Sequence, residues 1–240
     1  MVCKNVCKTI FKPSLNFSYR ILVCFTIAYC NLPILAAETN DDKTVLYNYG
    51  HHEQHAGKAI VRQSGQVDAY NGATIIAYDN SIIKAYDNCK IEAYGNTIVY
   101  ANANTTVKAY DNVRVFATNL AKIEASGSCT VEAKQNTSVE AHGNTSVTSF
   151  DKVKVKAGDN VTVTAQGDSD IKVEGNALVI AEGDSHVNAS GNSTVKAYDH
   201  SVIIAVPNSN IEGFGHSSIT ATKDTNVEIH DDATKKIIDK

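Results

Sequence analysis

The chain has 240 residues with 43% hydrophobic, 7% aromatic and 20% charged positions, three prolines, no tryptophan and a formal charge of -4. That balance excludes a disordered low-complexity tract and a polybasic nucleic-acid or membrane-surface binder. With six cysteines in 240 residues, four of them within the first 30, it also excludes a disulfide-dense miniprotein.

Residues 1–37 differ from the rest. Lys4, Lys8, Lys12 and Arg20 precede an apolar run from Ile21 to Cys30, and Leu35-Ala36-Ala37 follows Pro33. A basic start, a short apolar stretch and small residues read as a secretory signal peptide cleaved after Ala37. The run is short for a membrane span, so no stable membrane insertion is expected after cleavage. Removing this leader leaves 18 basic against 26 acidic residues, a net of -8. A secreted, periplasmic or cell-surface location is expected, with no nucleic-acid partner.

Residues 38–60 read as an N-terminal cap. Within it, His51, His52 and His55 stand in Gly-His-His-Glu-Gln-His. Spaced four apart, His51 and His55 would share a face if the segment were helical, which makes the trio a weak metal candidate. A solvated cap over the first coil is the preferred reading, and no cofactor is expected.

From residue 61 to 232 one unit repeats. Twenty-one residues fall eight apart without a gap, and every one is Val or Ile. They include Val67, Ile75, Ile83, Ile91, Val99, Val107, Val131 and Val163. The unit reads Ala-Tyr-Asp/Gly-Asn-Ser/Thr-x-Val-x. Its first position is Ala in 17 of the 22 copies from Val61 to Ile229. Positions five, seven and one are spaced by two and share one face of an extended chain; positions six, eight and two face the other way. The third and fourth positions hold Gly, Asp and Asn, the residues that tolerate positive φ at a corner. Identical units imply identical geometry. The expected fold is therefore an all-β, single-stranded parallel β-solenoid of about 22 octapeptide units, with 16 or 24 residues per coil. The small inward residues favour 16.

Tyr70, Tyr78, Tyr86, Tyr94 and Tyr110 occupy position two beside the corner and form a candidate aromatic ladder for a glycan or a protein surface. Cys89 and Cys129 fall at the inward position five of well-separated units and read as buried thiols. Thr-x-Thr pairs such as Thr162 with Thr164 lie among charged outward positions. No insertion interrupts the units, and Arg114 is the only arginine beyond Arg62, so a catalytic cleft is not expected. The tail at 233–240 reads as a charged cap, with Ile237 and Ile238 folding over the last coil. A monomer or small oligomer follows.

The unit Ala93-Tyr-Gly-Asn-Thr-Ile-Val99 resembles the octads of secreted bacterial repeat proteins of unknown function, over about residues 61–232. More distantly it is similar to ice nucleation protein repeats, and in architecture to bactofilins. The resemblance implies a non-enzymatic structural or adhesive repeat protein. Ice binding and a carbohydrate-binding or processing β-helix are the alternatives.

Overall fold

The computed structural model describes residues 37–39 and 44–239; the expected signal peptide lies outside them, apart from Ala37 itself. The described chain is a parallel β-solenoid of about 12 turns, with two strands per coil. It opens with β1 (Ala37–Thr39), β2 (Thr44–Tyr47), β3 (His51–Gln54) and β4 (Lys58–Val61), and closes with β25 (Asn226–Ile229) and β26 (Thr234–Ile238). Even-numbered strands build one sheet, here sheet A, and odd-numbered strands from β3 build sheet B. Each residue pairs with its equivalent two octads on, as Val67 does with Ile83 and Ile75 with Ile91. That settles the coil at two octads rather than three.

The core follows from the octad. Position-seven Val or Ile is buried from Val67 to Ile219 and position-one Ala from Ala69 to Ala221, and Val67, Ile75, Ile83, Val99, Val107 and Val163 have no exposed surface. Ile91 and Val131 are also buried. Position five is buried too, and most of its hydroxyls are bonded locally, whereas those of Ser193 and Ser217 have no partner. Ser81, Thr97 and Thr145 each donate to the position-two carbonyl three residues earlier, at 2.6, 2.7 and 2.8 Å. The position-five thiols do the same: Cys89 donates to the Tyr86 carbonyl and Cys129 to that of Ser126. They sit at opposite corners as free, buried thiols, and burial raises both above the usual thiol pKa.

Two kinds of corner alternate. From sheet A to sheet B, one residue takes positive φ, as at Asp79, Gly95 and Gly143. The following N–H donates back to the preceding coil, for example Asn96 to the Asp79 carbonyl at 2.9 Å. From sheet B to sheet A, the first corners put two residues in that region: Asn71 with Gly72, Asp87 with Asn88, Ala103 with Asn104, Asn119 with Leu120, Gln135 with Asn136. Their ladder runs forward instead, with Gly72 donating to Asp87 and Asn88 to Ala103. From Asp151 onward this corner also reverts to a single positive φ. The sequence explains the change. Gly72, Asn88, Asn104 and Asn136 hold most fourth positions of these corners up to residue 136, whereas Lys152, Asp168, Asp184 and His200 follow, and Gly and Asn adopt αL most readily.

The ends differ from the expected caps. Residues 44–60 are not a separate cap but solenoid strands: β2 pairs in parallel with β4, and β3 with β5 (Gln66–Ala69). Val45 pairs with Ala59 and His52 with Val67, steps slightly shorter than two octads, which hides these strands from a strict octad count. At this end β1 covers the edge of β2 in antiparallel register. At the other end, residues 234–238 do not fold over the last coil. They extend it as β26, in register with Ser218–Thr222, and Ile237 is 43% exposed.

Candidate functional site

The position-two side chains leave the coil beside the corner, so residues two octads apart stack and residues one octad apart lie on opposite edges. The five candidate tyrosines therefore separate into two ladders. Tyr70 and Tyr86 stack at 5.1 Å on one edge, with His55 on the outer face of Tyr70 at 5.2 Å. Tyr78, Tyr94 and Tyr110 stack on the other at 5.1 and 5.0 Å, and the Arg62 guanidinium covers Tyr78 at 5.2 Å. The rings are within 10 to 16° of parallel in the second ladder. Within each ladder the facing ring surfaces are occupied by the next ring. Stacking on a sugar needs a free ring face, and between stacked neighbours none is left. Tyr94 also donates to the Glu92 carboxylate, and that bond pushes its phenol up to about 12.

The three histidines diverge because the segment is a strand, where neighbours alternate sides, and not a helix. His51 points outward and pairs with Asp68 at 3.2 Å. His52 points inward, stacks on Tyr47 at 4.3 Å and donates from Nε2 to the Tyr49 carbonyl at 2.7 Å. His55 lies at the corner, with Glu53 at 3.3 Å. Tyr47 in turn donates to Gln54 at 3.0 Å. The interior of the first coil therefore carries a polar, aromatic plug beside Val45. Among the described residues, no group of three or more His, Cys, Asp or Glu is arranged to hold a metal ion.

The octad count passed over several stacks. Tyr100 with Phe116, Tyr198 with Phe214 and His230, and His200 with His216 form further ladders. Neighbours in every stack are one coil apart, so sorting by coil rather than by octad exposes them. The same sorting places Ser146/Thr148 beside Thr162/Thr164 on the outer face of sheet B. Thr130/Glu132 and Leu178/Ile180 bound this pair of coils on either side. The concavities are shallow: one of about 380 Å³ beside Tyr110, Glu124, Glu140 and His142, another of about 320 Å³ beside Asp170, His186 and Ile204. Both are grooves between side chains of neighbouring coils.

A model for the family DUF2345, described as an uncharacterized protein conserved in bacteria, matches residues 49–204. The chain belongs to this family. The DUF2345 match begins at Tyr49, inside the segment read from sequence as a cap, and so agrees with a solenoid that starts before residue 61. No curated protein and no solved structure matches the chain. Membership of DUF2345 supports the likeness to bacterial repeat proteins and gives no support to the likeness to ice nucleation repeats.

Proposed function

We propose that this protein is a secreted, non-enzymatic structural rod that holds surfaces apart or presents them outside the bacterial cell. One observation carries the reading: sheet register continues at two octads per coil from Lys58 to Ile238 without an inserted loop. Enzymes on solenoids need loops or a cleft to surround a substrate. A rod needs only uniform coils, each burying its Val and Ala against the next. At roughly 4.8 Å per coil, about 12 coils span roughly 60 Å. Small-angle scattering of the chain should give an elongated particle of that length. Deleting one whole coil, residues 138–153, should shorten it by one strand spacing and leave the fold intact. Cell fractionation tests the secreted part, since retention of the full chain in the cytoplasm would sink it. A globular scattering profile would sink the rod.

The ice-binding alternative has one specific observation behind it, the adjacent Ser146/Thr148 and Thr162/Thr164 pairs. Two coils make a small array, bordered directly by Glu132 on one side and Ile180 on the other. Absence of thermal hysteresis at micromolar protein would remove this reading.

A further inference from the structure

The outer face of sheet A carries a column that the rest of the molecule does not repeat. Lys58, Thr74, Lys90, Thr106, Lys122, Ser138 and Lys154 are each the registered Cα partner of the next. Lysine and hydroxyl alternate without a break, and Asp170 ends the series. The equivalent column of sheet B reads Gln66, Ile82, Ile98, Arg114, Thr130 and Ser146, with no such order.

The four lysines are exposed, and among the described residues none forms an ion pair; the bridging lysines are Lys108, Lys134, Lys172 and Lys196. This holds although acids lie two residues further along three of the column's strands. Each acid is engaged away from the column. Glu92 accepts from the Tyr94 hydroxyl, Glu124 pairs with Lys108 at 3.0 Å, and Glu140 lies 3.7 Å from the His142 ring nitrogen. On the corner side the row reads Gly72, Asn88, Asn104, Leu120, Asn136 and Lys152, so exposed amides stand beside Lys90, Thr106 and Ser138 and an exposed leucine beside Lys122. The result is a line of unpaired ammonium groups with hydrogen-bonding side chains along part of its border.

Two strand steps separate consecutive lysines by roughly 10 Å, and the whole column runs for roughly 30 Å. We propose that it binds a linear acidic polysaccharide with one carboxylate on every second sugar. An extended β-linked pyranose advances by about one strand step. Carboxylates on alternate sugars then meet Lys58, Lys90, Lys122 and Lys154, while the neutral sugars between them meet Thr74, Thr106 and Ser138. A polymer charged on every sugar would set half its carboxylates against hydroxyls. Duplex nucleic acid carries charge far more densely, and the acidic remainder of the chain repels it. This site does not depend on the rod's role: a rod that fails the scattering test could still bind the polymer, and the reverse.

Calorimetric titration of the full chain with hyaluronan oligosaccharides, which alternate a uronate with a neutral sugar, tests the proposal. Alginate oligosaccharides, dextran and duplex DNA are the comparisons. Hyaluronan should bind, more weakly as salt rises, and Lys90→Gln/Lys122→Gln should lose about tenfold in affinity. Lys84→Gln, on the opposite sheet, should stay within about twofold. Circular dichroism confirms that each variant is folded. No hyaluronan binding, an equal loss in the control, equal affinity for alginate, or tighter binding of DNA would each overturn the site.

Discussion

Lys235 stands in register over Ile219, at an inward position that Val or Ile holds in the repeats below it. Its ammonium reaches back to the Val227 carbonyl at 3.3 Å, on the edge of β25. Stacking another coil on β26 would bury this charge without a counter-ion, which is costly. An inward charge on an edge strand is a recognised block to edge pairing. Residues 234–238 are thus expected to resist pairing by this inward charge rather than by folding over the last coil. Lys235→Val should remove the block and let chains associate through the partly exposed Val227, Ile229 and Ile237. Sedimentation velocity should show larger species for the variant at matched concentration; identical profiles would contradict this role.

Leu120 is held at φ +67, between Asn104 and Asn136 of the neighbouring coils, which adopt the same conformation at +61 and +62. The ladder imposes αL on a residue whose Cβ disfavours it by about 1 kcal/mol or more. Leu120 is also 53% exposed, so its side chain contributes little packing. Leu120→Asn should therefore stabilise the protein, by about 1 kcal/mol, seen as a higher urea midpoint with an unchanged slope.

Gly143 (φ +71) and Gly72 (φ +76) share a backbone conformation but not an environment. A Cβ on Gly143 would lie 2.9 Å from the Gly127 carbonyl oxygen, while one on Gly72 would meet nothing within 4 Å. Gly72→Ala should cost about 1 kcal/mol from the backbone alone. Gly143→Ala should cost about 3 kcal/mol, because adjacent coils must also move apart. Equal losses in chemical denaturation would show that corner spacing is softer than the geometry implies.

The Tyr94 phenol is the group that gives an alkaline signature. The Glu92 hydrogen bond raises it from 10 to about 12 by favouring the protonated form. A pKa raised in the folded state contributes stability that is present below 10 and is lost as pH rises towards 12. Burial also raises the phenols of Tyr47 and Tyr70, so the readout is the change on substitution: in ultraviolet titration Glu92→Gln should return one late-ionising tyrosine towards its ordinary value. An unchanged titration curve would assign the Tyr94 shift to burial in the ladder instead.

The octad by itself determined the fold. A period of eight that fixes Val67, Val131 and Val163 on one side of an extended chain leaves a solenoid as the geometry that repeats identically. It also fixed which residues are buried, including Cys89 and Cys129, because inside and outside alternate strictly along each strand. Three things needed the tertiary structure. Coil length is a property of closure, and the octad is compatible with two or three units per turn; only the pairing of Val67 with Ile83 decides it. Once the coil is known, positions far apart in sequence become neighbours, so the tyrosines divide into two ladders and the lysines align into one column. The ends were illegible for a different reason. The first coil closes in slightly less than two octads and carries Tyr47, His52 and Gln54 inside, and the last strand carries Lys235 inside. A terminal coil has a neighbour on one side only, so packing no longer demands the repeat, and hydrogen bonding and charge decide what stands there.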